Sequence, residues 1–413
     1  MSEFHYQQNE LWVEDTRVRD IVLACQTPCF IYSHQSVVNA WHAFDKACTH
    51  PHLICYAVKA NSNLAILKLL AQLGAGFDIV SGGELQRVIA ASGATNKVVF
   101  SGVGKSSEEI AMALKAGIYC FNVESQTELM LINDIASHLN VRAPIALRVN
   151  PDVDAQSHPY ISTGHKESKF GIDAQHALEL YQLAATLSHL DVKGIACHIG
   201  SQLTSTGPFV QALQRLLSLI EKLTADGIAL EHVDVGGGLG VRYHLEQAPS
   251  PSDYIKALLD LKIPSRLKLI LEPGRALVAN AGILVTKVLL LKASGEKQFC
   301  IVDCAMNDYL RPTLYEAWQN IIPLTQHDKA ATAQYDIVGP VCESGDFLAK
   351  NRKLAVQIGD YLAISQAGAY GFVMSSNYNS RPRAPEILVK GNAFKVVRER
   401  ETLAELFAKE SAW

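Results

Sequence analysis

Lys59 closes the run ICYAVK, Asp78 sits in GFDIVSGGEL, and His198 ends IACH. Gly236, Gly237, Gly238 and Gly240 follow VDV, and Glu272 and Arg275 follow LIL. An amine, an imidazole, two carboxyl groups and glycine-rich turns, each at the end of an apolar run, suggest covalent chemistry on a phosphorylated cofactor. A lysine condenses with a carbonyl when its surroundings lower its pKa. A glycine run leaves backbone N–H groups open to a phosphate, and Gly274–Arg275 supplies a second such element. A lysine facing a phosphate site is what pyridoxal phosphate requires.

Taken singly these residues have plainer readings. A strand-end lysine is usually solvated, a histidine between Cys197 and Ile199 is usually packed in a core, and Glu272 with Arg275 could be a surface pair. The glycines could form only a tight turn, and no acidic residue follows at the spacing a dinucleotide site needs. Their shared position at strand ends is what joins them.

Eight β-branched or apolar runs alternate with amphipathic helical stretches: Ile54–Val58, Gly76–Val80, Lys97–Phe100, Ile118–Val123, Ile145–Val149, Val192–His198, His232–Val235 and Leu267–Leu271. Capping boxes at Ser81/Glu84, Ser106/Glu109 and Ser125/Glu128 open three of the helices. The rhythm predicts an α/β fold, a (β/α)8 TIM-like barrel over about 30–280. Active sites of such barrels lie at the C-terminal strand ends, where the reactive residues fall.

Beyond Ala281 the pattern changes to closely spaced strands, Ile283–Leu291, Phe299–Asp303, Tyr335–Val341, Tyr361–Ile364, Glu386–Val389 and Phe394–Arg398, with a helix near Thr402–Lys409. We therefore expect a second domain, a β-barrel or β-sandwich of residues 281–413, which also takes in residues 1–29 and the apolar Pro28–Tyr32. The polar segment Pro151–Gly171 reads as a long functional loop.

A hydrophobic content of 48%, a charged content of 19% and a net charge of −4 describe a globular chain with no basic surface for nucleic acid. Its start, MSEFHYQQNELWVED, has no signal-peptide pattern, and no run reaches the ~18 apolar residues of a membrane span, so a cytoplasmic location is expected. Nine cysteines without a CxxC pair argue against a disulfide framework or a metal site, and none is expected.

Ten ordered motifs carry a resemblance over nearly the whole chain: YAVKAN (56–61), FDIVSGGEL (77–85), RVNPDVD (148–154), HPYISTGHKESKFGI (158–172), HIGSQ (198–202), DVGGGLG (234–240), EPGR (272–275), MNDYLRPTLY (306–315), CESGDFLAK (342–350) and GAYGFVMSSNYNSRPRAPE (368–386). By these the sequence resembles the fold type III pyridoxal-phosphate decarboxylases. The resemblance implies that Lys59 carries the cofactor as a Schiff base, that His198 stacks on its ring and that Glu272 pairs with the pyridine nitrogen. It places Asp78 near the ring, and Ser201, Gly237, Gly238, Gly274, Arg275 and Tyr370 around the phosphate. It assigns the substrate to Arg275, Arg311, Tyr315, Glu343 and Tyr370, and return of a proton to the substrate carbon to Cys342.

The same resemblance implies decarboxylation of meso-2,6-diaminopimelate to L-lysine by a homodimer in which the Cys342–Glu343 loop completes the partner's site. The arginines and a glutamate suit a substrate with amino and carboxyl groups at its far end, which a plain diamine precursor lacks. A relative acting on carboxynorspermidine or another amino acid, a racemase of the same barrel, or an inactive cofactor-binding regulator are the alternatives. Departures from the family pattern at His165, Cys304 and Ala305 touch none of these roles.

Overall fold

The eight apolar runs become eight parallel strands in the computed structural model, which describes residues 3–154, 169–326 and 332–411. The strands are His52–Ala57, Gly76–Ile79, Val98–Phe100, Cys120–Val123, Ala143–Asn150, Leu190–Ala196, His232–Asp234 and Lys268–Leu271. Each pairs in parallel with the next, and the eighth returns to the first through Leu269–His52, Ile270–Leu53 and Leu271–Ile54. The sheet closes as a barrel. Tyr56, Phe77, Phe100, Phe121, Ile145, Ile195, Val233 and Ile270 are fully buried, which explains runs without strict alternation.

The three serine caps form, each accepting the backbone N–H of the glutamate three residues on. Only Ser106 makes the reciprocal box, with Glu109 returning to its N–H. Glu84 reaches instead to the N–H of Val80, and Glu128 to that of Glu124 and to the buried Lys105 ammonium. Both carboxylates thus brace the strand ends that precede their helices.

The described residues divide into two compact units. One spans 40–241 and 247–276 and holds the barrel; the other comprises 1–39, 242–246 and 277–413. In the second unit the fully buried strand Cys29–Ser33 pairs antiparallel with Gly282–Ser294 and parallel with Glu386–Lys390, so the N-terminal apolar run enters the middle of that sheet. Leu11, Val13, Ile21, Ile31, Ile283, Val285, Ile387 and Val389 form its core.

Several short strands escaped the sequence reading: Phe4–Gln7, Glu10–Val13, Thr16–Arg17, Ile172–Asp173, Ile321–Pro323 and the longer Phe347–Leu354. In FLAKNRKL the two lysines fall on exposed positions and Arg352 is half-buried against the Trp318 ring, while Leu348, Ala349 and Leu354 are buried. The expected helix near Thr402–Lys409 is only a single 3-10 turn, Ala404–Leu406, because few residues there are buried and packing does not support a longer helix. His165 and most of the Pro151–Gly171 segment lie outside the described residues. Among the described residues no helix is long and apolar enough to cross a membrane.

Candidate active site

The barrel unit gathers Lys59, Asp78, His198, Glu272 and Arg275 at the C-terminal ends of its strands. Lys59 lies in the 3-10 turn Val58–Ala60 after the first strand, and its ammonium pairs with the Asp78 carboxylate of the second. Asp78 is fully buried, and its Oδ1 has no hydrogen-bond partner among the described residues. An unsatisfied buried carboxylate oxygen beside a lysine costs free energy unless a further group arrives.

Glu272 follows the eighth strand and faces Asp234 at the end of the seventh. The Asn122 Nδ2 of the fourth strand donates to Ser101 Oγ (3.1 Å), Asp234 Oδ2 (3.3 Å) and Glu272 Oε1 (3.4 Å). Burial first, then the Asp234 and Asp78 carboxylates, push the Glu272 pKa well above the usual carboxyl range. Burial likewise raises Asp234 to about 6, against hydrogen bonds from its neighbours. Two buried acids joined by a hydrogen bond hold one proton between them. The floor of the site is thus a proton-bearing acid.

His198 follows the sixth strand and accepts the Gly237 N–H at Nδ1 (3.2 Å), which leaves the proton on Nε2. Burial, with Arg148 and Lys59 nearby, lowers its pKa well below 6.5, so the ring is a neutral plate. The Gly237 N–H is therefore engaged by the imidazole, which sequence could not show. The Gly238 N–H has no partner among the described residues. A Cβ at Gly237 would come within 2.1 Å of the Glu272 carbonyl, and one at Gly238 within 2.3 Å of the Gly200 carbonyl at φ +111°. Only glycines let this turn lie against the neighbouring strand ends. Beside it, the buried Arg275 guanidinium donates to Ser201 Oγ at 3.2 Å, and Gly274 packs on Ala57 and Ala60.

The second unit presents its own set. Arg311 opens the helix Arg311–Tyr315 and is 5% exposed. It donates to Tyr309 Oη (3.3 Å) and lies 4.5 Å from the centre of the Tyr243 ring, with no carboxylate in ion-pair range among the described residues. Cys342 and Glu343 are exposed on the loop after Val341, with the thiol 3.7 Å from Asn379 Oδ1 and Glu343 hydrogen-bonded to Tyr378. Tyr315 ends its helix, and Tyr370 takes a positive φ of 54° in a turn before Gly371. Sequence reasoning gave no role to Asn122, Asp234, Tyr243, Tyr309 or Asn379. Asp234, a charge inside the apolar VDV, was the available signal.

These residues fit pyridoxal phosphate. The orphaned Asp78 oxygen, the similarly unsatisfied Asn122 Oδ1 and the glycine turn beside Ser201 and Arg275 match an amine-tethered ring carrying a phosphate. Among the described residues no cluster of three or more histidine, cysteine or acidic groups could hold a metal.

Comparisons with known proteins agree with this geometry. The pyridoxal-binding domain of the pyridoxal-dependent decarboxylase family matches residues 34–279. The diaminopimelate decarboxylase of Vibrio cholerae is 56% identical across 100% of this chain and 99% of its own, and that of Pseudomonas aeruginosa is 54% identical across 100% and 99%. The crystal structure of the Helicobacter pylori diaminopimelate decarboxylase complexed with L-lysine superposes with a TM-score of 0.92 at 43% identity, covering 95% of this chain and 99% of that one. With the closed barrel, the paired lysine and the full-length matches all in agreement, the chain belongs to the pyridoxal-dependent decarboxylases of fold type III, within the diaminopimelate decarboxylase family.

Proposed function

We propose that the chain decarboxylates meso-2,6-diaminopimelate to L-lysine and CO2, the closing step of lysine formation, as a cytoplasmic homodimer using pyridoxal phosphate. The observation that carries the chemistry is the Lys59–Asp78 pair standing over a buried, proton-bearing Glu272–Asp234 floor. Pyridoxal phosphate, when bound, supplies an aldehyde for amines and a ring that takes up the electron pair left by CO2.

The chain's own residues do the rest. Lys59 Nζ is the tether, and Asp78 holds its ammonium until the amine is needed. With the cofactor bound, the protonated Glu272 would pair with the pyridine nitrogen, and the neutral His198 imidazole would lie against the ring. Ser201, Arg275, Gly238, Gly274 and Tyr370 would hold its phosphate, with Gly237 acting through the His198 contact. Cys342 Sγ–H returns the proton to the α-carbon after CO2 departs.

Arg311, Tyr315, Glu343, Tyr370 and Arg275 are the substrate receptors. A guanidinium buried against two tyrosines, with no carboxylate in ion-pair range among the described residues, is costly alone and favours a ligand carboxylate. A diamine precursor such as ornithine has none to offer at its far end. Arg311→Met keeps much of the buried volume and removes the charge. We expect kcat/KM for diaminopimelate to fall about 10²-fold or more, chiefly through KM. Steady-state CO2 release checks this, and an unchanged KM would remove Arg311 from the substrate site.

The division of labour between two copies rests on the Cys342–Glu343 loop, whose root is buried while its tip is exposed. The loop is proposed to enter the partner's barrel. Nine free thiols, Cys342 among them, suit a reducing compartment.

A further inference from the structure

Asp346 is nearly fully buried, 4% exposed, and closes the Cys-Glu-Ser-Gly-Asp loop. Its Oδ1 accepts the Met306 N–H at 2.7 Å and its Oδ2 the Val341 N–H at 2.8 Å. Val341 immediately precedes Cys342, and Met306 begins the MNDYLRP segment that leads into Arg311. One carboxylate thus ties two segments distant in sequence, by the charge-assisted bonds that are shortest and strongest among backbone contacts.

A second tie runs beside it. Thr313, on the Arg311 helix, donates from Oγ1 to the Gly345 carbonyl at 2.7 Å. Inside the loop, the Asp346 N–H donates to the Glu343 carbonyl (3.0 Å) and the Glu343 N–H to that of Val341 (2.8 Å). Gly339 leaves the space this needs, since a Cβ there would meet Asp346 Oδ2 at 2.5 Å and Ala305 at 2.6 Å. The exposed tip of Cys342 and Glu343 therefore stands on a root tied by these hydrogen bonds and anchored on the buried Val341 and Asp346.

We propose that Asp346 is a positioning residue that locks the Cys342–Glu343 loop to the Arg311 segment, so that thiol, carboxylate and guanidinium are presented as one rigid piece. The inference rests on the roles given above to Cys342 and Arg311, but the mechanical coupling stands on its own. In Asp346→Asn the amide turns an N–H2 toward one of the two backbone donors, so one tie is lost with little change in shape.

The test uses the cofactor-loaded full chain and reads hydrogen exchange together with kinetics. In Asp346→Asn, peptides covering 306–311 and 341–346 should exchange faster together, by about tenfold or more, with barrel strands unchanged. kcat should fall and KM rise in the same variant, whereas Cys342→Ala lowers kcat alone and Arg311→Met chiefly raises KM. Thr313→Val should give the same joint pattern more mildly, and it carries the test should Asp346→Asn not fold. Loosening of one segment without the other, in whichever variant folds, overturns the coupling. Joint loosening with kcat and KM unchanged overturns the positioning role. Unaltered kinetics in both Cys342→Ala and Arg311→Met overturns the underlying functional reading instead, while the exchange result still decides the coupling.

Discussion

Lys59→Ala is expected to lower turnover of diaminopimelate on the order of 10³-fold or more, since the substitution removes both the tether and the amine that must exchange with the substrate. Its carboxylate partner is fully buried, so the truncated protein leaves Asp78 as an uncompensated charge. The purified variant should lose the cofactor absorbance at about 420 nm that belongs to a lysine-tethered pyridoxal group. In the unmodified chain, borohydride reduction followed by peptide mass analysis should place the cofactor on the peptide containing Lys59. Cofactor mass on another lysine would displace Lys59 from its role and leave the Asp78 pair as a structural contact.

The second large effect concerns the partner chain. Lys59→Ala and Cys342→Ala chains are each expected to be nearly inactive. If Cys342 completes the site of the neighbouring copy, a heterodimer of the two contains one site with both residues intact and one with neither. Random reassortment of equal amounts should then restore about a quarter of the unmodified activity. If each site used its own cysteine, both sites of the heterodimer would be defective and mixing would restore nothing. Size measurement before and after mixing shows that exchange has occurred. The outcome separates a shared site from a self-contained one without reference to any static contact.

How far the sequence reaches depends on what each feature needs. The eight barrel strands were legible because they are buried on both faces, which makes each a short apolar run bounded by turn residues, as in ICYAV and LKLIL. The gathering of Lys59, His198, Glu272 and Arg275 at one end of the barrel was legible because strand ends in such a barrel share one address. Phe347–Leu354 was hidden by its exposed Lys350, Asn351 and Lys353, since a short strand with polar residues at exposed positions reads as a loop.

The floor of the site was hidden for another reason. Asn122, Asp234 and Glu272 come from the fourth, seventh and eighth strands, and only closure of the barrel makes one amide bridge two acids. No local spacing encodes that. Direction is equally silent in sequence: DVGGGLG announces open N–H groups, but the structure gives that of Gly237 to His198. Arg311 shows a similar limit, since nothing in MNDYLRP says that its guanidinium is buried against Tyr243 from a distant segment, with no carboxylate in ion-pair range among the described residues.

The central claim is the identity of the substrate, and parallel assay of CO2 release from meso-diaminopimelate, ornithine, lysine and arginine by the cofactor-loaded protein tests it most directly. The account predicts stoichiometric L-lysine and CO2 from diaminopimelate, with kcat/KM for each of the other three lower by about 10²-fold or more because none offers a distal carboxylate to Arg311. Equal or faster turnover of ornithine, lysine or arginine, or no lysine from diaminopimelate, would contradict it.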